Sequence, residues 1–409
     1  MTTPPVAPAA ARRSRPVGLD DLRRHAVALT LGPPTTLMRA IRRLGFVQAD
    51  PIRAPARAQD LILRHRVIDY RAGELEQRYP GLPVEEDALV NYGFLPREHL
   101  ALMHPREPRR PWDADTWRRA ADVLAFVRER GPSHPRDVDR HFAHGQVRNY
   151  WGGSGSASTQ LLDGLHHRGR VRVVRRDSGV RVYAAVDHSP VSDDPPARLA
   201  RAAALIDLVL RLYAPLPSSS LVYLVRMLGH GAPHLADELA VALRAARASL
   251  ARVTLEGVTW YWPADERPSS ARHAPADRVR LLAPFDPVVW DRTRFEALWG
   301  WAYRFEAYTP AARRKLGYYA LPLLWRDRVV GWGNASVTAR GELALSLGYV
   351  DGRAPDDARF SQALEEEVES FRRFLAFGEV SGRAAPPPRL RVARPGSECA
   401  QLERGAHGA

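Results

Sequence analysis

A pattern of helix, turn, helix and β-hairpin occurs three times along this chain of 409 residues. Each copy begins with a helix that apolar spacing predicts, over residues 19–31, 117–130 and 199–214. Gly, Pro and Ser residues then interrupt the chain before further helical segments, and a short strand or hairpin follows. This order is typical of a winged helix, and three similar units in one chain indicate a tandem array.

The remaining elements can be placed within each copy. The first copy continues with a helix over residues 37–44, which ends at Gly45, and with a strand over residues 47–52. The other copies contain helices over residues 136–142, 159–167, 221–228 and 232–250 and hairpins over residues 170–185 and 253–262.

The predicted fold class is α+β, with three tandem winged helix-turn-helix units and a C-terminal β-rich α+β domain. After the third copy the chain contains aromatic residues, short strands and one late helix over residues 359–377. Both ends are rich in Pro and Ala and are predicted to be disordered. The resulting divisions are a basic arm 1–17, winged-helix units 18–115, 116–190 and 191–275, a C-terminal domain 276–383, and a tail 384–409.

The charge balance indicates a polyanionic partner. The chain carries 60 basic and 46 acidic residues, for a net charge of +14, and half of this excess lies in residues 1–80. Lys315 is the only lysine, so a compositional preference explains the choice of Arg over Lys but not its local concentration. A basic chain with helix-turn-helix patterns is typical of a protein that binds double-stranded DNA.

Several other classes of protein are excluded. The one cysteine, Cys399, cannot form a disulfide or a cysteine zinc site within the chain. No apolar run reaches the length of a membrane span, and the N-terminus lacks the apolar segment of a signal peptide. We therefore expect a cytoplasmic, nucleoid-associated monomer that needs no cofactor and no metal.

The stretch Gln48-Ala49-Asp50 is the strongest candidate for a catalytic site. It follows an apolar run, and on a strand residues 48 and 50 would project from the same face. An amide beside a carboxylate can hold a water molecule and accept its proton, so Gln48 would orient the water and Asp50 would act as the base. A solvated strand edge is the alternative interpretation of so short a motif.

Basic residues around this motif and around the second hairpin are candidates for DNA contact. The alternative is that the hairpin and the histidines before it form a solvated surface. The candidates are Arg39, Arg42, Arg43, Arg53, Arg57, His166, His167, Arg168, Arg170, Arg172, Arg175 and Arg176.

Three further groups of polar residues receive a structural interpretation. The acidic run over residues 365–369 is predicted to be a solvated helix face. For Asp286 and Asp291 we favour a structural role over a place in a functional site. His141 and His144 have no third ligand at a recognisable spacing, so a solvated pair is favoured over a metal site.

Three stretches resemble the winged-helix DNA glycosylases of the AlkZ/AlkX (YcaQ-like) family. The first is Leu-Gly-Phe-Val-Gln-Ala-Asp-Pro-Ile at residues 44–52. The second is Leu-Leu-Ala-Pro-Phe-Asp-Pro-Val-Val-Trp-Asp-Arg at residues 281–292, and the third lies within residues 303–322. The resemblance extends over residues 18–383.

The resemblance implies three tandem winged helices and a C-terminal domain that together hold duplex DNA. It also implies monofunctional hydrolysis of the N-glycosidic bond of alkylated purines, including those in interstrand crosslinks. The catalytic motif of the family is Gln, an apolar residue, then Gln or Asp, and Gln48-Ala49-Asp50 matches the form of the broader-acting YcaQ-like branch. A purine alkylated at N7 is already cationic and leaves readily, so an amide and a carboxylate suffice for the chemistry.

The chain departs from the family at residues 87–96 and after Val330-Gly331. Two other functions therefore stay open: a non-catalytic winged-helix DNA-binding protein, such as a regulator or an architectural protein, and a glycosylase relative that binds lesions without cutting. The carboxylate of Asp50 favours an enzyme over a regulator, because it would repel DNA phosphates in a basic region.

Overall fold

A computed structural model describes residues 15–107, 111–148, 153–188, 192–338 and 341–375. Within these ranges the chain forms helices and antiparallel sheets of two to four strands. The predicted N-terminal arm, apart from residues 15–17, and the predicted C-terminal tail lie outside the described residues. Each helix in the described ranges is too short or too polar to span a membrane.

The first part of the chain surrounds a three-stranded antiparallel sheet. Its helices are α1 (Leu19–Thr30), α2 (Leu37–Leu44), α3 (Ala58–Leu63), α4 (Glu74–Arg78) and α5 (Leu100–Met103). Its strands are β1 (Val47–Gln48), β2 (Val84–Ala88) and β3 (Tyr92–Pro96), in the order β1-β3-β2. Gly45 ends α2 in the left-handed conformation, with φ 69°, so the chain can turn directly from α2 into β1.

The middle of the chain contains two successive groups of three helices and a hairpin. The first group is α6 (Ala114–Arg130), α7 (Pro135–Phe142), β4 (Gln146–Arg148), β5 (Ser154–Ser156), α8 (Ala157–His167), β6 (Val171–Asp177) and β7 (Val180–Ala185). The second group is α9 (Pro195–Tyr213), β8 (Leu216–Pro217), α10 (Ser218–Gly231), α11 (Ala236–Ser249), β9 (Ala251–Leu255) and β10 (Val258–Trp262). In each group the closing hairpin packs against the helices before it.

The C-terminal part is a four-stranded antiparallel sheet in the order β11-β12-β13-β14. Its elements are β11 (Val279–Leu281), α12 (Arg292–Trp299), β12 (Leu321–Trp325), β13 (Arg328–Val337), β14 (Leu343–Tyr349) and α13 (Ala358–Leu375). Short 3-10 helices elsewhere cover Tyr79–Gly81, Arg97–His99, Pro233–Leu235, Ala271–His273 and Ala311–Arg313.

The predicted order of helices and hairpins is confirmed along the described chain, with bounds that differ by a few residues. The side chain of Ser156 accepts a hydrogen bond from the Thr159 amide at 3.3 Å and so begins α8. A mixed helix and sheet architecture is therefore established. That these groups form three winged-helix units, with the predicted boundaries, stays a prediction.

The predicted strand over residues 47–52 is wrong beyond Gln48. The Ala49 amide still donates to the Tyr92 carbonyl at 3.0 Å, but Pro51 has no amide to donate. The Asp50 carboxylate accepts a hydrogen bond from the Ile52 amide at 2.9 Å, which closes a local turn. Asp50 therefore lies in the loop after β1, and the argument that residues 48 and 50 share a strand face does not apply.

Helix α1 joins parts of the chain that are far apart in sequence. Its Val27 packs in one apolar cluster with Leu282 of the C-terminal part. Its Leu22 packs in another with Trp260 of β10 and Leu298 of α12. The largest cluster includes residues from α2 to α13, so the groups share one core and do not pack as separate bodies.

A buried ion pair connects the first part of the chain to the C-terminal part. The Arg66 guanidinium donates to both carboxylate oxygens of Asp286, at 2.8 and 3.0 Å, and Asp286 is fully buried. Arg66 also donates to the carbonyls of Thr30 and Ile62, at 2.9 and 2.6 Å. The predicted structural role of Asp286 is confirmed, and Asp291 likewise caps α12 by accepting the Arg294 amide at 3.1 Å.

The prediction that residues 365–369 form a solvated face is wrong for one of them. Glu367 is buried and is paired with the buried guanidinium of Arg64. Its carboxylate also accepts the Leu281 amide at 2.8 Å, which attaches α13 to β11. Arg64 and Leu281 lie 303 and 86 residues before Glu367, so a helical charge pattern could not show these contacts.

We expect Arg66→Met to destabilise the protein strongly, because it leaves the Asp286 carboxylate buried without its cation. The expected loss in the free energy of unfolding is about 3–5 kcal/mol, measured by urea denaturation. The control is Arg78→Met, whose partner Glu74 lies one turn away on the surface, with an expected loss of about 0.5 kcal/mol or less. Equal losses in the two variants would show that the Arg66 pair does not hold the parts together.

Candidate active site

Gln48 lies at the edge of the first sheet, where β1 meets β3. It pairs with Gly93, and a Cβ atom at Gly93 would come within 2.4 Å of the Val47 carbonyl oxygen. The Gln48 side chain is buried, and its Oε1 atom has no hydrogen-bond partner among the described residues. A buried acceptor of this kind is costly unless a ligand or water completes it, so its position indicates a binding site.

Asp50 stands two residues further on, in the turn that its own side chain closes. Burial raises the pKa of its carboxyl group, and the hydrogen bond from the Ile52 amide lowers it only in part. Among the described residues, no cation adds to these two effects on the pKa of Asp50. A partly buried carboxylate with a raised pKa is a better proton acceptor than an exposed one.

The charge of Asp50 acts on two tyrosines from residues 303–322. Burial and then the Asp50 carboxylate raise the pKa of Tyr319 well above its ordinary value, and the same causes raise the pKa of Tyr308. The Tyr319 hydroxyl is buried and has no hydrogen-bond partner among the described residues. The ring of Phe305 contacts both tyrosines, with centroid distances of 5.3 Å to Tyr319 and 6.1 Å to Tyr308.

The segment that carries these tyrosines is held by buried polar groups. The Glu306 carboxylate accepts hydrogen bonds from the amides of Lys315 and Leu316, at 2.8 and 2.7 Å. The side chain of Asn334 donates to the Leu316 carbonyl at 2.7 Å. Asn334 belongs to the stretch after Gly331 in which the chain departs from the family. In this protein its side chain therefore helps to hold the segment that carries the two tyrosines.

The arrangement can bind a water molecule and take its proton. Asp50 offers a carboxylate, Gln48 a buried amide oxygen, and Tyr319 a phenol that stays neutral because its pKa is raised. These groups come from two distant parts of the sequence, which the Arg66–Asp286 pair brings together. Gln48 and Asp50 are two residues apart in the chain but not on one strand face, and their joint role in catalysis stays a prediction.

The basic residues that were predicted to contact DNA fall into two groups. The exposed ones could reach a phosphate, although Arg42 also pairs with Glu98 at 3.3 Å and Arg43 donates to the Ala28 carbonyl at 3.1 Å. Arg57 is less exposed and is paired with Glu76. The exposed candidates are Arg39, Arg42, Arg43, Arg53 and Arg170, for which DNA contact stays a prediction.

Strand β2 carries three successive buried carboxylates, and two arginines of the hairpin β6–β7 pair with two of them. Glu85 accepts hydrogen bonds from Arg172 at 2.9 and 3.0 Å, and Glu86 accepts one from Arg176 at 3.0 Å. Arg175 bonds instead to Asp177 of its own strand, at 2.9 Å. Arg172 and Arg176 thus neutralise buried acids, and their contact with DNA stays a prediction.

The third carboxylate, Asp87, is paired with a histidine and an arginine. Its oxygens bond to His104 Nε2 at 2.6 Å and to Arg106 Nη1 at 3.2 Å. Burial would raise the pKa of Asp87, but Arg106 and His104 hold it well below its ordinary value. Asp87 is the first residue of the other departure from the family, and here it is part of the core.

The three candidates at the end of α8 are buried or partly buried, and their contact with DNA stays a prediction. Arg168 is buried, with its guanidinium carbon 3.4 Å from the centroid of the Trp112 ring, and His166 is buried as well. Burial and the nearby Arg106 lower the pKa of His167 to about 4, so its ring is neutral at pH 7. None of these three side chains presents an exposed cation to a phosphate. In the described ranges no cluster of His, Cys, Asp or Glu could hold a metal ion.

Sequence reasoning assigned no role to Tyr308 and Tyr319. Both lie inside the stretch of residues 303–322 that resembles the family, which was the only signal available. A tyrosine in a sequence does not reveal whether its ring is exposed or its hydroxyl is buried, so their positions beside Asp50 follow only from the folded chain.

Comparison with known proteins gives two matches. The model of the family described as "DNA glycosylase AlkZ-like" matches residues 41–374. Among solved structures, the chain is similar to the DNA glycosylase AlkZ of Streptomyces sahachiroi, with a TM-score of 0.58. The identity is 16%, and the match covers 87% of this chain and 95% of the other. At this identity the structural match shows a similar fold.

We expect Arg170→Ala and Arg172→Ala to have different effects, although the two residues are neighbours. Arg170 is exposed, so its removal is expected to lower the slope of log K against log salt for duplex binding by about 1. Arg172 is paired with Glu85, so its removal is expected to lower the unfolding midpoint and leave that slope unchanged. Fluorescence anisotropy at several salt concentrations and thermal unfolding measure these effects, and the reverse pattern would contradict the structural role of the hairpin.

Proposed function

Because the chain belongs to the AlkZ-like DNA glycosylase family, we propose that it is a monofunctional DNA glycosylase that acts on purines alkylated at N7. The observation that carries this proposal is that, among the described residues, no cation offsets the partly buried Asp50 carboxylate and no group bonds to the buried oxygen of Gln48, two residues earlier. The protein would act on double-stranded DNA as a monomer, without a cofactor. Its three helical groups would then serve as tandem winged helices along the duplex.

The reaction follows from the charges at this site. Asp50 accepts a proton from a water molecule whose oxygen attacks C1′ of the sugar, and Gln48 orients that water. The C1′–N9 bond breaks, and its electron pair neutralises the cationic purine as it leaves. The Asp50 charge also stabilises the positive charge that develops on the sugar. No acid is needed to activate the leaving base, because an N7-alkylated purine already carries a positive charge.

This mechanism limits the range of substrates. Uracil and 8-oxoguanine are neutral leaving groups, and the site has no evident group to protonate them. The Tyr319 hydroxyl has a pKa far above neutral and is a weak acid. We therefore include cationic N7-alkylguanines and the crosslinks built from them in the proposed range, and exclude the two neutral bases.

A non-catalytic DNA-binding protein and a lesion binder that does not cut are the remaining alternatives. Both would share the basic surface and the fold, so binding measurements cannot separate them from an enzyme. Release of the base separates them, and an alkali-labile strand break at N7-methylguanine is a direct record of that release.

We expect Asp50→Asn to lower excision of N7-methylguanine from duplex DNA by about 10²–10⁴-fold, because it removes the base. The Asn oxygen can still accept the Ile52 amide, so the turn is kept and only the charge is lost. Strand breaks after heating in alkali measure excision, and duplex affinity should stay equal or rise. Gln48→Ala is expected to lose less. Wild-type excision by the Asp50 variant would overturn the assignment, and uracil and 8-oxoguanine duplexes serve as negative substrates.

The pH dependence of kcat/KM should report the same carboxyl group. Asp50 must be ionised to accept a proton, so excision should fall as the pH drops through its pKa. Burial raises that pKa from the ordinary value of 3.8, so the midpoint should lie above 3.8. A rate that does not change between pH 4 and pH 8, after correction for folding, would exclude Asp50 as the base.

We expect Lys315→Ala to leave excision unchanged, and borohydride to trap no covalent protein–DNA adduct. Lys315 is exposed, and its backbone amide, not its side chain, is bonded to Glu306. The neighbouring exposed Arg313 provides the matched control, Arg313→Ala, because it removes the same charge without removing an amine. An adduct that disappears only in the lysine variant would replace the water mechanism by amine catalysis.

A further inference from the structure

Tyr308 is an unusually exposed aromatic residue at the edge of the candidate site. Its side chain is 81% exposed, and no other large hydrophobic side chain in the described ranges is exposed more. Its ring meets Phe305 edge to face at a centroid distance of 6.1 Å, so its faces are not stacked against that neighbour. A ring this exposed buries little apolar surface, so its contact with Phe305 contributes little to the stability of the fold.

Hydrogen bonds within the segment fix the turn that carries Tyr308. The Thr309 amide donates to the Glu306 carbonyl at 2.9 Å, and the buried Glu306 carboxylate binds two further amides of the same segment. Arg314 donates to the Thr309 carbonyl at 2.8 Å. The ring is therefore displayed on a fixed turn, and little ordering would be needed when it binds a ligand.

A second tyrosine of the segment differs in one respect. Tyr318 is 42% exposed, but the guanidinium carbon of Arg314 lies 5.0 Å from its ring centroid. The arginine thus already occupies a cation site on Tyr318. Tyr308 and Tyr319 share Phe305 as a neighbour, and the charge of Asp50 acts on both tyrosines, so we place the exposed ring at the rim of the candidate site.

We propose that the Tyr308 ring stacks on the target base and selects for its positive charge. This inference rests on the proposed function and names a residue that recognises the substrate. A tyrosine ring attracts a cation placed over its face, and nucleobases stack on aromatic side chains without regard to sequence. With Asp50 on the sugar side and Tyr308 on the base side, a cationic base is stabilised before the glycosidic bond breaks.

Binding to three duplexes tests the proposal without excision. The first contains N7-methylguanine on a 2′-fluoroarabino sugar, which resists cleavage; the second contains uncharged 7-methyl-7-deazaguanine on the same sugar; the third contains guanine. We expect the wild-type protein to prefer the cationic duplex. Tyr308→Ala should weaken that binding by about 5- to 30-fold and reduce the preference over the uncharged isostere, while Tyr308→Phe stays within about twofold.

Tyr318→Ala is the matched control, because it removes an equal ring from the same segment. It should change binding of the cationic duplex by less than about threefold, since Arg314 already covers that ring. The proposal is overturned if Tyr308→Ala weakens all three duplexes equally, if Tyr318→Ala matches it, or if Tyr308→Phe is as weak as the alanine variant. A charge preference that depends on Tyr308 in a protein without excision would support this inference and reject the proposed function.

Discussion

The Arg66–Asp286 pair is the contact on which the candidate site depends. Asp50 belongs to the first part of the chain, whereas Tyr308 and Tyr319 belong to the segment between β11 and β12. Arg66 donates two hydrogen bonds to Asp286 and two to carbonyls of α1 and α3, so a single guanidinium fixes three segments. Such a pair does little for net stability compared with apolar packing, but it admits only one relative placement of its partners.

Local patterns predicted the helices and hairpins well, because apolar spacing and Gly or Ser caps act within a few residues. Gly45 was recognised in this way as the end of α2. The strand at residues 47–52 was over-extended because Pro51 and the side chain of Asp50 end it after Gln48.

Long-range pairing could not be predicted from the same patterns. Arg172 and Arg176 alternate along a strand like residues that face a phosphate, but their carboxylate partners lie 87 and 90 residues earlier in the chain. Glu367 is paired with Arg64 across 303 residues. In each case the side chain was placed correctly on its element, and its partner came from another part of the fold. The net charge of +14 therefore overstates the number of cations that can meet DNA, because several of them neutralise buried acids.

The absence of a cation beside Asp50 has a thermodynamic consequence for the complex with DNA. In the free protein, burial favours the protonated carboxyl group. A cationic base placed in the proposed site would favour the ionised form, so the pKa of Asp50 in the complex would be lower than in the free protein. Proton release and lesion binding are then linked, and each promotes the other by the same factor. A cationic lesion would thus favour ionisation of the Asp50 carboxyl group, whereas an undamaged guanine, which carries no charge, would not.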